Sequence, residues 1–347
     1  MGKIHRGGLI GGFDRLKESP IVYSGVWDLR QQGVAEKGDR WQQYFDPTGR
    51  AIFGGGFSSD YVDQLMYITV QSTGNSTDFG DLTIGRYGTP STSNATRGVH
   101  FGGVGTASNN SQNVIDYITI ASTGNATDFG DMHIGTCNRG SALANATRGV
   151  HGGGTYVSGS NDRKIVYITI ASTGNTTEFG DLTITINTGD RAAGSNTTRG
   201  VFYGAAGNSN VIDYITIAST GNATDFGDAT IGAGSRGSSN SSTRVFAGGG
   251  YPSSGTPIDT IEYVTTASTG NGTDFGDLTV ARALHQGTSD KVRGVFAGGR
   301  LSDSNNSNTM DYITMASAGN ATDFGDLNIS VRQYHGTAIC STHGGIP

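Results

Sequence analysis

One stretch of this chain returns at a nearly fixed interval, and that interval limits the possible folds more than any other feature. Residues 213–228 read Asp-Tyr-Ile-Thr-Ile-Ala-Ser-Thr-Gly-Asn-Ala-Thr-Asp-Phe-Gly-Asp. The Phe near its end falls at Phe79, Phe129, Phe179, Phe226, Phe275 and Phe324, in steps of 50, 50, 47, 49 and 49 residues. A period near fifty marks a repeat architecture, in which each unit is too small to bury its own apolar face and must pack against its neighbours.

Each period holds four strand candidates. In the last full one they are residues 281–289, 293–299, 310–315 and 322–329. The second begins at Arg50, Arg97, Arg148, Arg199, Arg244 and Arg293, and the third carries Tyr67, Tyr117, Tyr167, Tyr214, Tyr263 and Tyr312. Both alternate Val, Ile, Tyr and Thr with small residues, as half-buried strands do. The Thr-Gly-Asn between the third and fourth is a hairpin turn, with Gly supplying positive φ and Asn expected to cap that turn. On this reading the Asn-x-Ser/Thr triplets at Asn75, Asn125, Asn175, Asn222, Asn271 and Asn320 are turn chemistry rather than glycan acceptors. The repeated Phe and Tyr should pack between neighbouring units. The Arg opening each second strand should pair with an acid such as Asp213 or Asp228.

The ends decide between a solenoid and a ring. The repeats begin with a second strand at residues 49–56 and finish at residues 332–341, where Arg332, His335, Gly336 and Thr337 follow the order of a first strand. The missing strand is thus supplied from the far end, and a closed ring leaves no open sheet edge. The expected fold is all-β: a six-bladed β-propeller of four-stranded antiparallel blades, closed by a C-terminal strand in the first blade. It spans residues 49–347 and follows an irregular segment, residues 1–48.

The repeat resembles the kelch motif. Gly298-Gly299 stand where kelch repeats place a Gly pair after the second strand, Tyr312 where the third strand carries an aromatic, and Phe324 with Leu327 where the fourth carries Trp and Leu. It departs in using Phe for Trp, and Met132 and Ala229 for Leu in two repeats. The resemblance implies the propeller geometry.

The first segment stands outside the period and holds both tryptophans. Its Ser-Gly-Val-Trp-Asp-Leu-Arg-Gln-Gln at residues 24–32, followed by Gly38 to Trp41, resembles a short module near the N-terminus of tailed-phage structural proteins. That resemblance implies attachment to a virion through Val26, Trp27, Leu29 and Trp41. The implied partners are other virion structural proteins, and the implied location is the virion, in several copies, after synthesis in the host cytoplasm. Read without the resemblance, the same tryptophans serve equally to pack this segment on the propeller's flank.

Composition narrows the function. Charged residues make up 15%, the net charge is −6, and no run of Lys or Arg occurs, so a phosphate-binding patch for nucleic acid is not expected. There is no apolar run of about 20 residues and no signal-peptide core, which points to a soluble protein without membrane insertion. Cys137 and Cys340 read as free, half-buried thiols. No Gly-Lys-Ser/Thr loop, His-Glu-x-x-His or Cys-x-x-Cys is present. The paired Asp residues recur in every repeat, whereas an active site is usually unique, so they read as turn structure before calcium ligands or acid–base pairs. The spacing also differs from the Asp-box of sialidases. His100, His151, His285 and His335 lie on first or second strands and are expected to be packed. The chain is therefore expected to be non-enzymatic, with no cofactor and no metal.

Recognition is expected on the connections between second and third strands, where the repeats differ most. These place Tyr61, Tyr156, Tyr251 and Asp303 as candidate contacts to a host-surface glycan or protein. The alternatives are a stand-alone kelch-like protein- or glycan-binding module and, after it, a propeller glycosidase.

Overall fold

The computed structural model describes residues 49–105, 112–133, 137–156, 163–184, 191–205, 209–332 and 338–346. Val26, Trp27, Leu29, Trp41 and His335 lie outside the described residues. Within them every regular element is a strand, and six antiparallel four-stranded sheets form the blades of a propeller. In the second blade the order from axis to rim is Ser91–Ser93, Arg97–Phe101, Val114–Thr119 and Thr127–Asp131. The other blades repeat it.

The ring closes as the sequence predicts. Ile339–Cys340 is the innermost strand of the first blade and pairs with Arg50–Phe57, Ala51 facing Cys340 and Ile52 facing Ile339. Cys340 is fully buried, not half-buried as expected, because it lies on this axial strand.

The core is divided among the six blade-to-blade interfaces. Phe79 gathers Ile52, Leu65 and Leu82 of its own blade with Ile118 and Ile120 of the next. A bulge aims it there: Leu65 faces Gly80 and Met66 faces Asp78, so Phe79 is the extra residue turned off the ladder. Tyr67 meets Phe79 edge-on at 6.0 Å, and the pairing recurs in every blade, as in Tyr312 with Phe324.

The Thr-Gly-Asn turn does not cap itself. Gly124 N–H and Ala126 N–H donate to Phe79 and Asp81 of the preceding blade, each at 2.7 Å, and Asn125 Oδ1 accepts the Asp81 N–H at 3.1 Å. The same latch joins each blade to the next around the ring, ending with Asn75 Oδ1 accepting from Asp326 N–H at 3.0 Å. Each turn thereby covers the exposed edge of its neighbour's outermost strand. The contact explains the Gly of Asp-Phe-Gly-Asp: a Cβ on Gly80 would stand 2.4 Å from the Gly124 carbonyl oxygen. The Asn that caps its own turn sits elsewhere, in the hairpin between first and second strands, where Asn94 Oδ1 accepts from Thr96 and Arg97 N–H.

Candidate functional site

Two arginines per repeat have distinct structural work, and the expected pairing assigned the acid to the wrong one. The Arg opening each second strand forms no pair with Asp213 or Asp228. Arg199 instead lies over the Tyr214 ring at 4.4 Å and donates Nη1–H to the Thr266 carbonyl of the following blade at 2.8 Å. The corresponding arginines do the same around the ring. The guanidinium is held flat between an aromatic face and a carbonyl, which satisfies it without a carboxylate.

The acids on the third strands belong to the arginine just before each innermost strand. Arg86 meets Asp116 at 2.7 Å, Arg191 meets Asp213 at 3.0 Å, Arg282 meets Asp311 at 2.9 Å, and Arg236 pairs with Glu262. All eight side chains are at most 1% exposed. A Thr from the preceding blade completes each carboxylate: Thr83 donates Oγ1–H to Asp116 at 2.7 Å, and Thr183, Thr230 and Thr279 do likewise. Burial pushes the guanidinium of Arg86, Arg191 and Arg282 below its ordinary value, and the neighbouring acid opposes the shift.

Two blades solve the same site without the acid. Met66 and Val166 occupy the acid's position in the first and third blades. The Thr is replaced there by Asn328 and His133, whose backbone N–H groups donate to Ser76 Oγ and Thr176 Oγ1 at 2.9 Å. In the charged blades those hydroxyl residues are Ala126, Ala223, Gly272 and Ala321. Gly272 accompanies Glu262, the longer acid, whose Oε2 would lie 2.6 Å from a Cβ there. The exchange of hydroxyl for carboxylate was legible in the aligned repeats, as a set of three positions that change together.

The histidines are packed, as expected. His100, His151 and His285 are at most 1% exposed. Burial lowers His100 to about 3 and His151 to about 4, and lowers His285 well below its usual value. His100 faces Asp116 across the strands, the place held by Phe202 and Phe296 opposite Asp213 and Asp311.

The axis is closed on the side of the first hairpins. His343 accepts Gly345 N–H at Nδ1 (3.0 Å), so its Nε2–H donates to the Ser93 carbonyl at 2.7 Å. Ser195 and Ser289 bridge to the preceding blade in the same manner, donating to Ala144 and Asn240 carbonyls at 2.6 and 2.8 Å. Ala144 has no hydroxyl for that role, and His343 takes its place. The axial cavity beneath has a volume of about 20 Å³, room for a water rather than a substrate.

The opposite side carries the loops. There, short ribbons extend the second strands: Arg86–Tyr87 pairs Val104–Gly105, Cys137–Asn138 pairs Thr155–Tyr156, Ala233–Gly234 pairs Tyr251–Pro252, and Arg282–Ala283 pairs Arg300–Leu301. Tyr156 and Tyr251 lie in these ribbons, in the third and fifth blades, and Tyr251 is half-buried. Asp303 is exposed on the sixth-blade loop, where its oxygens accept the backbone N–H (3.0 Å) and side-chain amide (2.9 Å) of Asn305. The structure therefore spreads the four predicted residues over four blades of one face. Among them, Tyr61 has aromatic neighbours on this face: it stacks on Tyr87 at 5.6 Å and 14°, and meets Phe57 edge-on at 5.6 Å. Phe57 and Tyr87 were not among the sequence-predicted residues, because only the ring brings residue 87 of one blade beside residue 61 of another.

Among the described residues no group of three or more His, Cys, Asp or Glu side chains is placed to hold a metal ion, and no helix is long and apolar enough to cross a membrane. No protein-family model matches the sequence, and no curated protein matches it either.

Proposed function

We propose that this chain is a non-enzymatic component of a tailed-phage virion, with residues 1–48 as the anchor and the propeller displayed for adsorption, decoration or host recognition. One observation carries the recognition half. The repeated Asn and Arg side chains, and the buried acids of four blades, are engaged in holding the ring: Asn125 in the latch, Arg97 over Tyr117, Asp116 on Arg86. The side chains that differ most between blades lie on the loop face, which supports that face as the one that makes specific contacts outside the molecule. The virion half rests on the resemblance of residues 24–41 to phage structural modules.

Deleting residues 1–45 tests the anchor. The truncated chain should fold and stay out of particles; assembly of the truncated chain into particles would overturn this reading. Hydrolysis of an aryl glycoside by the purified protein would overturn its non-enzymatic part. The second reading, a stand-alone protein- or glycan-binding module, is favoured by the self-contained closure of the propeller within residues 49–346.

A further inference from the structure

The six latches differ in one chemical respect. In five of them the Asn that accepts the neighbour's N–H is followed by Ser76, Ala126, Thr176, Ala223 or Ala321. In the turn that joins the fifth blade to the fourth it is followed by Gly272, and Asn271-Gly272 is the single Asn-Gly pair in the chain. The glycine is imposed from inside. A Cβ on residue 272 would stand 2.4 Å from the Tyr203 hydroxyl and 2.6 Å from Glu262 Oε2. Both side chains are buried, and Glu262 is committed to Arg236 and Thr230. In the three blades with the shorter Asp the position carries Ala, and Gly54, Gly152 and Gly248 of the preceding blades stand where Tyr203 does. A choice made in the core therefore sets an Asn-Gly pair on the rim, where Asn271 is exposed and Gly272 half-buried.

We propose that Asn271 is a self-modification site, converted to aspartate and isoaspartate by attack of the following backbone nitrogen, and that its latch sets the rate. The Gly272 amide nitrogen gives up its proton and attacks Cγ of Asn271. A Cγ–N bond forms, the side-chain nitrogen leaves as ammonia with that proton, and a cyclic imide results. Water then adds to either imide carbonyl. Opening at Cγ gives aspartate, and opening at the main-chain carbonyl gives isoaspartate. The sum is amide and water to carboxylic acid and ammonia, with no redox change. Gly reaches the backbone geometry of the attack and leaves its nitrogen uncovered, whereas Ser, Thr and Ala restrict it at the other latches.

The closed latch withholds both reactants. Gly272 N–H donates to the Asp228 carbonyl at 2.7 Å, and Asn271 Oδ1 accepts the Asp228 N–H at 3.0 Å. Cyclisation requires the turn to lift from the neighbouring strand, a local opening far smaller than unfolding. The two products differ in consequence. Aspartate keeps an oxygen where Oδ1 stood. Isoaspartate adds a carbon to the main chain between Gly270 and Gly272, whose N–H groups donate to Phe226 and Asp228 at 2.8 and 2.7 Å, so that register is lost. The modification thus unlatches one interface of the ring irreversibly. It stands apart from the recognition and virion readings and rests on neither.

The test is ageing of the purified full chain in mildly alkaline buffer, followed by peptide mapping with mass spectrometry and enzymatic methylation of isoaspartate. Conversion is expected at Asn271 about tenfold or more ahead of Asn75, Asn125, Asn175, Asn222 and Asn320. G227A, whose Cβ would stand 2.5 Å from the Gly270 carbonyl oxygen, should speed it about tenfold, as loss of one or two exposed hydrogen bonds allows. G130A injures the latch between the second and third blades in the same way and should leave the rate at Asn271 unchanged. Urea, which opens the latch without substitution, should accelerate the unaltered chain at least as much as G227A does. Y203F/E262D/G272A, which removes the hydroxyl and the longer acid to make room for Ala, should convert no faster at Asn271 than the other latches do. The isoaspartate fraction should melt below N271D. Equal rates at all six asparagines, no conversion of Asn271 in urea, or equal acceleration by G130A and G227A would each overturn the proposal. An isoaspartate fraction as stable as N271D would overturn the unlatching.

Discussion

At the residue scale, the most consequential side chains are the buried Arg–acid pairs. Removing one partner strands the other without solvent, which costs about 3–5 kcal/mol, whereas the pair itself contributes less than that figure suggests. D116V should therefore lower stability by about that amount in urea unfolding. The third blade shows how the loss is accommodated, through Val166, His133 and Thr176. Grafting that set, as D116V with T83H and A126T, should recover part of the loss; a triple variant no more stable than D116V would show that the three positions do not act together. This set also marks a limit of single-chain reading. Each repeat has two arginines and several acids, and their spacing does not say which guanidinium turns inward.

At the element scale, the second hairpin of each blade serves its neighbour more than itself. Asn125 replaced by Ala removes one exposed hydrogen bond and should cost about 1 kcal/mol. Gly130 replaced by Ala should cost clearly more. Its φ of 145° is strained for an L side chain, and its Cβ would stand 2.6 Å from the Gly174 backbone, forcing two blades apart. Equal losses for the two variants in thermal unfolding would remove the latch as the reason for the repeated glycine. The positive φ of Gly74, Gly124 and their equivalents follows from turn chemistry and was legible. The interblade bond was not, because a turn pattern is local and its partner lies 44 residues away.

At the scale of the whole molecule, stability should depend on pH through the buried histidines. His100, His151, His285 and His343 are all held neutral by burial, the last at about 4. Their folded values lie below the unfolded value of about 6.5, so the unfolded chain binds more protons in the interval between. Their contribution is complete above about pH 6.5 and is lost as pH falls toward 4 and then 3. The urea midpoint should fall across that window. H100F, which places in the second blade the side chain that Phe202 and Phe296 supply in others, should flatten the decline. The axial circuit gives a further expectation. H343A should lower the melting temperature, and A144S should restore part of it by supplying the hydroxyl that the third blade lacks. A144S without effect in the H343A background would show that His343 does more than bridge Ser93.

The sequence by itself determined the architecture. Its period counted six blades, its alternation gave four strands to each, and the displaced strand near Ile339 closed the ring, since each of these follows from short-range pattern and from the need to bury apolar faces. It also marked the loop face as the variable one. Only the tertiary structure decided which residues meet across blades: Thr83 with Asp116, Asn125 with Asp81, His343 with Ser93, and Tyr61 with Tyr87. These contacts join residues 26 to 250 positions apart, and it is closure of the ring that brings such positions within hydrogen-bonding and stacking distance.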